Sequence, residues 1–306
     1  MMQAIGIDVG GTGVKLGLVN SAGQISTVGY IPVEKQMPLK QLVERLAQAC
    51  KPLLSEGKVE GIGIAMPGFA DSQTGVLRDG GNNLPCVTEQ SLPQALGSQL
   101  DLPFRFENDG LAAVLGEMRF GAAQGACNFG MLTLGTGVGG GIVTGGRLVR
   151  GKHGEPPELG AMVLDMQGAT NYSGLSGTLE GFAGKAGFLS AFHAQGRSGD
   201  DLLRHFDALD TDPAALAAFN SVAARIAQAC GTLVNTLNLD LLLLGGGIAG
   251  VGDRLLRTVR SSMALSTWPM LLGQVELRLA ERGNDAGMLG AASLFFPSDI
   301  STKVEN

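Results

Sequence analysis

The sequence predicts an α/β fold built from two domains. Its 306 residues are enough for two domains of ordinary size, each with its own hydrophobic core. One order of elements (strand, turn with Gly and Thr, strand, Gly turn, strand) occurs at residues 4–32 and again at residues 128–150. Helical patterns of apolar residues follow both occurrences. A repeated module of this kind indicates two similar domains that face each other.

Each predicted element rests on a local pattern. Short apolar runs between Gly, Pro or Asn residues predict strands, and apolar residues three or four apart predict helices. In the first half we expect strands at 4–9, 14–20 and 24–32, a helix at 39–54, a strand at 59–66, a helix at 92–100, a strand at 104–107 and a helix at 111–120. In the second half we expect strands at 128–134, 138–144 and 147–150, a helix at 221–237, a strand at 239–244, a helix at 254–263, a strand at 275–280 and a helix at 285–296. Crossing helices are expected to join the domains, with the last helix returning to the first.

Composition and charge exclude several classes of protein. With 44% hydrophobic and 16% charged residues, the chain has a globular composition. A net charge of -6 and the lack of a dense Lys/Arg run argue against nucleic acid as a partner. No apolar run approaches the roughly 18 residues that span a bilayer, and the N-terminus lacks the pattern of a signal peptide. We expect a soluble, cytoplasmic protein with no membrane partner.

The cysteine pattern gives no sign of a metal or disulfide scaffold. Cys50, Cys86, Cys127 and Cys230 lie far apart and form no C-x-x-C pair. A structural zinc site or a disulfide framework is therefore poorly supported. Buried free thiols are the expected state of these residues.

A glycine-rich segment at residues 6–19, GIDVGGTGVKLGLV, has the residues that an ATP site needs. Phosphates bind backbone N–H groups, and glycine allows a turn to approach them closely. Gly10, Gly11 and Thr12 can supply these N–H groups, and Asp8 can hold Mg²⁺ through water. No helix follows the glycines, so the segment is neither a P-loop nor a Rossmann motif. An ordinary glycine-rich hairpin is the alternative.

Two further glycine clusters extend the prediction to the second half. LTLGTGVGGGIVTGG at residues 132–146 repeats the first pattern, and Gly135, Thr136 and Gly137 would hold the phosphates from the second domain. LLLLGGGIAG at residues 241–250 brings Gly245 and Gly246 to the start of a helix, which suits a wall of the adenine or ribose site. The alternatives are another plain hairpin and a tight strand–helix junction. Two similar hairpins in one chain make the first alternative weaker.

The segment FENDG at residues 106–110 carries the candidate catalytic group. A sugar hydroxyl is a poor nucleophile, and a positioned carboxylate that accepts its proton assists attack on phosphorus. Asp109 can be that base, and Asn108 can hold neighbouring hydroxyls. The alternative is that Asp109 only caps the following helix. Nearby in sequence, Lys15, Arg150 and Lys152 are expected to be solvated surface charges rather than phosphate ligands.

Taken in order, these residues resemble the ROK family of sugar kinases and repressors. Each motif alone is weak, but eight in the order of the family are specific. The matching motifs are DxGGT at 8–12, small-Pro-Gly at 66–68, NLP at 83–85, END at 107–109, LGTGxGGG at 134–141, ExG at 158–160, GGG at 245–247 and LGAA at 289–292. Repressors of the family carry an added N-terminal winged helix, and DxGGT starts here at Asp8, which favours a kinase.

The resemblance implies a fold, cofactors and a site. The fold would be two ribonuclease H-like domains of the actin-like ATPase architecture with a cleft between them, the first formed by residues 1–108 plus a helix at about 285–306 and the second by 109–284. ATP and Mg²⁺ would be the cofactors, Asp109 the base, a sugar the substrate, and a homodimer the usual assembly. The implied substrate-binding residues are Gly68, Asn83, Asn108, Asp109, Glu158 and Glu180.

Two departures from the family pattern concern zinc. Where the family commonly reads E-x-G-H, with a His that approaches the sugar and ligates zinc, this chain has Ala161. The zinc loop of the family, C-x-C-G-x-x-G-C-x-E, appears here as YSGLSGTLE at residues 172–180, without cysteine. We therefore predict no zinc and a loop held by packing and hydrogen bonds. His153 lies nearby and is expected to face solvent. The missing imidazole predicts a changed sugar preference or affinity.

The sequence thus predicts an ATP-dependent kinase that phosphorylates a sugar, most simply at the 6-hydroxyl of a hexose or N-acetylhexosamine. One alternative is a catalytically degenerate sugar-binding or regulatory protein of the same fold. Another is an ATPase of the actin or chaperone type, which would share the hairpins but would not need the END segment or Glu158. A requirement of ATP turnover for sugar separates these possibilities.

Overall fold

A computed structural model describes residues 1–34, 36–55, 57–71, 74–80, 84–170 and 174–297. The strands are β1 (Gln3–Val9), β2 (Gly13–Asn20), β3 (Ile25–Pro32), β4 (Val59–Met66), β5 (Phe69–Ala70), β6 (Leu77–Asp79), β7 (Phe104–Asn108), β8 (Phe129–Leu134), β9 (Val138–Thr144), β10 (Arg147–Leu148), β11 (Leu241–Gly245) and β12 (Glu276–Leu279). The helices are α1 (Leu39–Leu54), α2 (Leu92–Gly97), α3 (Asp109–Phe120), α4 (Leu179–Ala183), α5 (Lys185–Ala194), α6 (Leu202–Asp207), α7 (Pro213–Leu237), α8 (Asp253–Met263), α9 (Pro269–Gln274) and α10 (Ala286–Ser293).

The chain divides into two compact units. The first contains residues 1–125, 145–157 and 284–306, and the second contains residues 126–144 and 158–283. Helix α3 therefore lies in the first unit, whereas the predicted domain boundary at residue 108 placed it in the second. The reason is packing, because α3 lies directly against α10. At Gly290 the two helices come so close that a side chain would collide with the backbone of Ala112.

The first unit is built around a five-stranded sheet with the order β3-β2-β1-β4-β7. β1, β2 and β3 form an antiparallel meander, while β4 and β7 run parallel to β1. Ile5, Ile7, Ile62 and Ile64 are completely buried in its central strands. Helix α1 contributes Leu42 and Leu46 to the same core cluster. Burial on both faces of β1 and β4 fixes the strand ends that carry the candidate site.

The second unit has its own sheet, with the order β9-β8-β11-β12 among its strands. β9 is antiparallel to β8, and β11 and β12 are parallel to it. A cluster of aromatic rings packs against α7, with Phe188 and Phe219 at a centroid distance of 6.2 Å and Phe188 and Phe206 at 5.6 Å. Aromatic pairs at such distances add specificity to apolar burial. This unit thus repeats the antiparallel hairpin followed by parallel strands seen in the first.

Most predicted elements are present, and the differences have local causes. The predicted helix at 221–237 begins earlier, at Pro213, because the side chain of Asp212 caps it by accepting from the N–H groups of Ala214 and Ala215. Strand β10 is shorter than predicted. Helices α4, α5, α6 and α9 and the β5–β6 hairpin were not predicted from the sequence.

The burial of the four cysteine thiols differs from one to the next. All four thiols are free, but only Cys50 and Cys230 are buried, whereas Cys127 is exposed. The expectation of buried thiols is therefore wrong for Cys127.

None of the helices in the described ranges is both long enough and apolar enough to pass through a bilayer.

Candidate active site

The carboxyl ends of three parallel strands meet at one edge of the first sheet. Asp8 of β1 pairs with Ala65 of β4, and Ala65 pairs with Glu107 of β7. Neighbouring strands are about 4.8 Å apart, which places the Cα atoms of Asp8 and Glu107 about 10 Å from each other. In parallel α/β sheets, ligands bind beyond this edge. The sheet topology therefore brings the Asp8 and END segments of the sequence together.

The first glycine-rich turn lies between β1 and β2. It is closed by a hydrogen bond of 3.0 Å from the Gly10 N–H to the Gly13 carbonyl. The Thr12 carbonyl accepts from the Val33 N–H at 3.1 Å and from the Tyr30 hydroxyl at 3.2 Å. Within the described chain, the N–H groups of Gly11 and Thr12 donate to no protein acceptor. The turn is thus held through its carbonyls and keeps donors that can face an anion.

Asp8 is half-buried next to the start of α10. A Cβ at Gly287 would lie 2.7 Å from Asp8 Oδ2, so only glycine lets the helix come this close. Burial raises the pKa of the Asp8 carboxyl to about 6, and the charge of Lys15 opposes this rise. Lys15 itself forms an ion pair with Asp285. The expectation that Lys15 is a solvated surface charge is therefore wrong, because its ammonium group is partnered at the site.

Asn108, not Asp109, caps helix α3. Its Oδ1 accepts from the Leu111 N–H at 3.1 Å, and its Nδ2 donates to the Gly68 carbonyl at 3.1 Å. Each amide atom can make one more hydrogen bond, so a ligand hydroxyl can still bind there. The alternative that Asp109 serves only as an N-cap is wrong. The cap also ties the predicted site residue Gly68 to the END segment.

Asp109 has the properties of a general base. The residue is exposed at the first position of α3, and its Oδ1 accepts from the Gly110 N–H at 2.8 Å. The surrounding protein limits hydration of the carboxylate and raises its pKa to about 6, the Gly110 N–H lowers the pKa, and the charge of Asp8 raises it. A carboxylate that is accessible and poorly hydrated can accept a proton near neutral pH.

Sequence reasoning missed the partner of Glu107. Glu107 is buried, and Arg150 binds it in a bidentate manner, with Nη1 2.7 Å from Oε1 and with Nη2 contacting Oε2. Oε1 also accepts from the Asn108 N–H at 2.9 Å. The pKa of Arg150 is raised, mainly by this hydrogen bond to Glu107. The expectation of a solvated charge is wrong for Arg150, whereas Lys152 is exposed.

The second glycine-rich turn lies between β8 and β9 in the second unit. The Gly135 N–H donates to the Gly137 carbonyl at 3.0 Å, as Gly10 does to Gly13 in the first unit. The exposed residue at the tip is Thr136. The Val138 N–H donates to Glu180 Oε2 at 3.0 Å, and a Cβ at Gly137 would collide with that carboxylate. A predicted phosphate turn and a predicted sugar ligand therefore meet in this unit.

Gly245 and Gly246 lie beside this turn. Gly245 pairs with Thr133 at the carboxyl ends of β11 and β8. Gly246 has a φ of 81° and packs so closely on Leu134 that a Cβ would collide with its backbone. Two of the predicted nucleotide-binding segments of the second half thus share one edge of its sheet.

Glu158 precedes a short 3₁₀ turn, Leu159–Ala161, and its carbonyl accepts from the Ala161 N–H at 3.1 Å. At Gly160 this turn packs against the Val138 carbonyl and against Cβ of Glu180. Glu158, Glu180 and the second glycine-rich turn therefore belong to one cluster. The remaining predicted sugar ligand, Asn83, lies outside the described residues.

Backbone hydrogen bonds hold the described part of the segment at residues 172–180, and a cation–ring contact lies beside it. The Leu164 N–H donates to the Gly177 carbonyl at 2.8 Å. The Arg225 guanidinium stacks over Phe182 at 4.6 Å, and its Nη2 lies 3.4 Å from Asp165 Oδ2. Among the described residues, no three His, Cys, Asp or Glu side chains are grouped so that they could hold a metal ion. His153 is exposed and pairs with Glu155 at 2.9 Å.

Comparisons with known proteins match nearly the whole chain. The sequence matches the model of the ROK family over residues 4–297. The glucokinase of Halalkalibacterium halodurans is 32% identical over 327 aligned residues, covering 99% of this chain and 97% of that protein. The N-acetylmannosamine kinase of Escherichia coli O157:H7 is 28% identical, covering 96% of this chain and 98% of that protein.

A solved structure gives the same result for the fold. The crystal structure of a ROK family glucokinase from Streptomyces griseus in complex with glucose and AMPPNP has a TM-score of 0.80 at 26% identity. The match covers 95% of this chain and 98% of that chain. The predicted α/β fold class and the resemblance stated from the sequence are both confirmed.

Proposed function

The chain belongs to the ROK family and is an ATP-dependent sugar kinase; from this premise we propose that it phosphorylates the 6-hydroxyl of a hexose or an N-acetylhexosamine, with Asp109 as the general base. The observation that carries the proposal is the accessible Asp109 carboxylate at the carboxyl edge of the first sheet. Because Asn108 caps helix α3, the Asp109 carboxylate is not needed as the cap. Relatives named for glucose and for N-acetylmannosamine keep both sugar classes in the proposal.

The proposed step needs one proton acceptor and one leaving group. The sugar hydroxyl gives its proton to the Asp109 carboxylate while its oxygen forms a bond to the γ-phosphorus of ATP. The bond between the γ-phosphorus and the bridging oxygen breaks, and ADP leaves. With a pKa of about 6, Asp109 is mostly ionised at pH 7 and still basic enough to take the proton. The primary 6-hydroxyl is the least hindered nucleophile on a hexose.

The two glycine-rich turns are proposed to bind the phosphates of ATP. In each turn a hydrogen bond between glycines leaves N–H groups at the tip, those of Gly11 and Thr12 in one and of Thr136 in the other. Backbone N–H donors fixed in a turn stabilise charge on a transferring phosphoryl group without reorganisation. Gly245 and Gly246 are proposed to lie against the adenosine part.

Asp8 fits a role at a magnesium ion. Mg²⁺ prefers oxygen ligands and is usually held by one or two carboxylates, phosphate oxygens and water. Asp8 offers a half-buried carboxylate whose pKa is raised to about 6 by burial, and a cation beside it would favour the ionised form. A bound Mg²⁺ would neutralise negative charge on the phosphates. We propose Mg²⁺ at Asp8 through water, and no zinc.

The sugar is proposed to contact Gly68, Asn83, Asn108, Glu158 and Glu180. Ala161, in the turn after Glu158, leaves space where the family pattern has an imidazole. Introducing Ala161→His tests this difference, and we expect the ratio of kcat/KM values between glucose and N-acetylmannosamine to change by about tenfold or more. An unchanged ratio across a hexose panel would show that Ala161 does not set the preference.

The experiment that tests the function is ADP release from Mg·ATP across hexoses and N-acetylhexosamines, with Asp109→Asn beside the parent protein. We expect turnover that requires sugar and falls about 10²–10⁴-fold in the variant. Asp101→Asn, at an exposed position before β7, is the matched control. Turnover without sugar would indicate an ATPase, and sugar binding without turnover would indicate a degenerate binding protein.

Two further features belong to the proposal. Because its phosphoryl donor is ATP, we place the protein in the cytoplasm.

We propose a homodimer from the resemblance to the family. Sedimentation equilibrium measures the mass of the assembly directly.

A further inference from the structure

Glu180 lies between the sugar-side turn and the phosphate-side turn of the second unit. It is the second residue of α4, whose N-cap Thr178 accepts from the Gly181 N–H at 3.1 Å. Its Oε2 accepts from the Val138 N–H at 3.0 Å. Its Cβ lies 3.4 Å from the position that a Cβ at Gly160 would take. One side chain is therefore hydrogen-bonded to the phosphate-side turn and lies close to the sugar-side turn.

The backbone after Glu180 holds the same glycine-rich turn from its other side. The Glu180 carbonyl accepts from the Gly184 N–H at 2.9 Å, and the Lys185 N–H donates to the Gly135 carbonyl at 2.9 Å and to the Thr136 carbonyl at 3.3 Å. The Glu180 carboxylate holds Val138, just past the tip of the turn. Helix α4, the start of α5 and the turn are thus joined by four hydrogen bonds.

We propose that Glu180 is a positioning residue for the nucleotide as well as a ligand of the sugar. The inference rests on the proposed function, in which Gly135–Gly137 binds phosphate. Oε2 fixes the turn through Val138, while Oε1 accepts from none of the described residues and is left for a sugar hydroxyl. A sugar hydroxyl bound to Oε1 fixes the orientation of the carboxylate. Through the hydrogen bond from Val138 to Oε2, it also fixes the turn. Sugar and nucleotide binding are coupled through one carboxylate, and the coupling is reciprocal.

Side chains of different length and chemistry separate the two roles. Glu180→Gln keeps a carbonyl oxygen at the same reach, so it can accept from Val138 although its charge is lost. Glu180→Asp keeps the charge but is one methylene too short for a hydrogen bond of 3.0 Å in the present backbone. Glu180→Ala removes the acceptor. Thr178→Ala is the control, because it weakens the cap of α4 and leaves Glu180 in place.

The test is the affinity for the nonhydrolysable nucleotide AMPPNP with Mg²⁺ and without sugar, measured by isothermal titration calorimetry on the full chain. We expect Kd to rise about tenfold or more in Glu180→Ala and Glu180→Asp, and to stay within about threefold of the parent in Glu180→Gln and Thr178→Ala. With saturating glucose or N-acetylmannosamine, whichever the parent phosphorylates, the affinity for AMPPNP should rise in the parent and stay unchanged in Glu180→Ala.

Each outcome decides one claim. Equal Kd values in the parent and all Glu180 variants would overturn the positioning role and leave the proposed function intact. Loss of affinity in Thr178→Ala as large as in Glu180→Ala would also overturn it, because general weakening of α4 would then be sufficient. If Glu180→Ala does not fold, the comparison of Glu180→Asp with Glu180→Gln decides the inference. Absence of AMPPNP binding in the parent, both without sugar and with saturating sugar, would instead refute the proposed function.

Discussion

Arg150 binds both carboxylate oxygens of Glu107, with Nη1 2.7 Å from Oε1 and Nη2 in contact with Oε2. Glu107 is 6% exposed and precedes Asn108 and Asp109 directly. Its Oε1 also accepts from the Asn108 N–H, so the ion pair sets the backbone from which the proposed base projects. A bidentate pair fixes orientation as well as charge. Arg150, which belongs to the segment at residues 145–157, therefore anchors the END segment.

Arg150→Met should destabilise the protein and lower its activity. The substitution leaves the buried Glu107 carboxylate without its partner, and one third of the Arg150 side chain is exposed, which reduces the cost below that of a fully buried pair. We expect the free energy of unfolding in urea to fall by about 1–3 kcal/mol.

The matched control is Arg78→Met, which removes a pair between the exposed Arg78 guanidinium and the half-buried Asp71. Because Arg78 is largely solvated, the pair contributes about 0–1 kcal/mol, so this variant should remain close to the parent. The double variant Glu107→Gln, Arg150→Met should recover part of the lost stability. An Arg150→Met protein as stable as the Arg78→Met protein would contradict the assigned role.

Activity should fall as the pH is lowered through about 6. Two carboxyl groups at the first sheet edge, those of Asp8 and Asp109, have a pKa of about 6, and both must be ionised in the proposed mechanism. The charge of Asp8 raises the pKa of Asp109, so the acid limb belongs to the pair rather than to one residue. A profile of log kcat/KM against pH measures it. A profile that stays flat down to pH 5 would contradict the assignment.

Asp109→Asn should be more stable than the parent above pH 6. Because the pKa of Asp109 is raised in the folded state from its ordinary value of 3.8, the folded chain binds more protons than the unfolded chain between these values. In the parent, ionisation of Asp109 therefore lowers the free energy of unfolding. This destabilisation is complete above about pH 6 and absent below pH 3.8. Asparagine has no such cost and keeps an oxygen for the Gly110 N–H.

Melting temperatures at pH 8 and pH 4 check this linkage. The difference between Asp109→Asn and the parent should be positive at pH 8 and should shrink toward pH 4. A difference that grows as the pH falls would show that the carboxylate is stabilised by folding. A gain in stability together with a loss of turnover is the relation expected where a site is organised for chemistry.

The elements of the site that could be predicted from sequence are those set by local chemistry. Gly10–Thr12 and Gly135–Gly137 follow apolar strands directly, so both turns and their strands were predicted within a few residues. The contacts Glu107–Arg150 and Lys15–Asp285 join residues 43 and 270 positions apart. Spacing along the chain carries no signal for such pairs, and both cations were predicted to be solvated.

Local patterns also misled in two places. Asn108 and Asp109 are both good helix caps, and sequence alone does not decide which one starts α3. Helices α4 and α5 meet at Gly184, and this short, glycine-interrupted stretch has no clear apolar face. Contacts of Glu180 and Lys185 with the second glycine-rich turn hold this stretch in place. The role of Glu180 in holding Val138 therefore emerges only from the fold.

Gly137→Ala and Gly135→Ala form a matched pair within that turn. A methyl group at Gly137 would collide with the Glu180 carboxylate, whereas nothing lies within 4 Å of a methyl group at Gly135. Neither glycine has a positive φ, so the φ angle disfavours alanine at neither position. We expect Gly137→Ala to lower the free energy of unfolding by about 1–3 kcal/mol and Gly135→Ala to change it by less than about 0.5 kcal/mol. Urea denaturation of the two variants measures the difference. Equal stability would show that the Glu180 carboxylate moves aside freely, and the hydrogen bond to Val138 would then be too weak to position the turn.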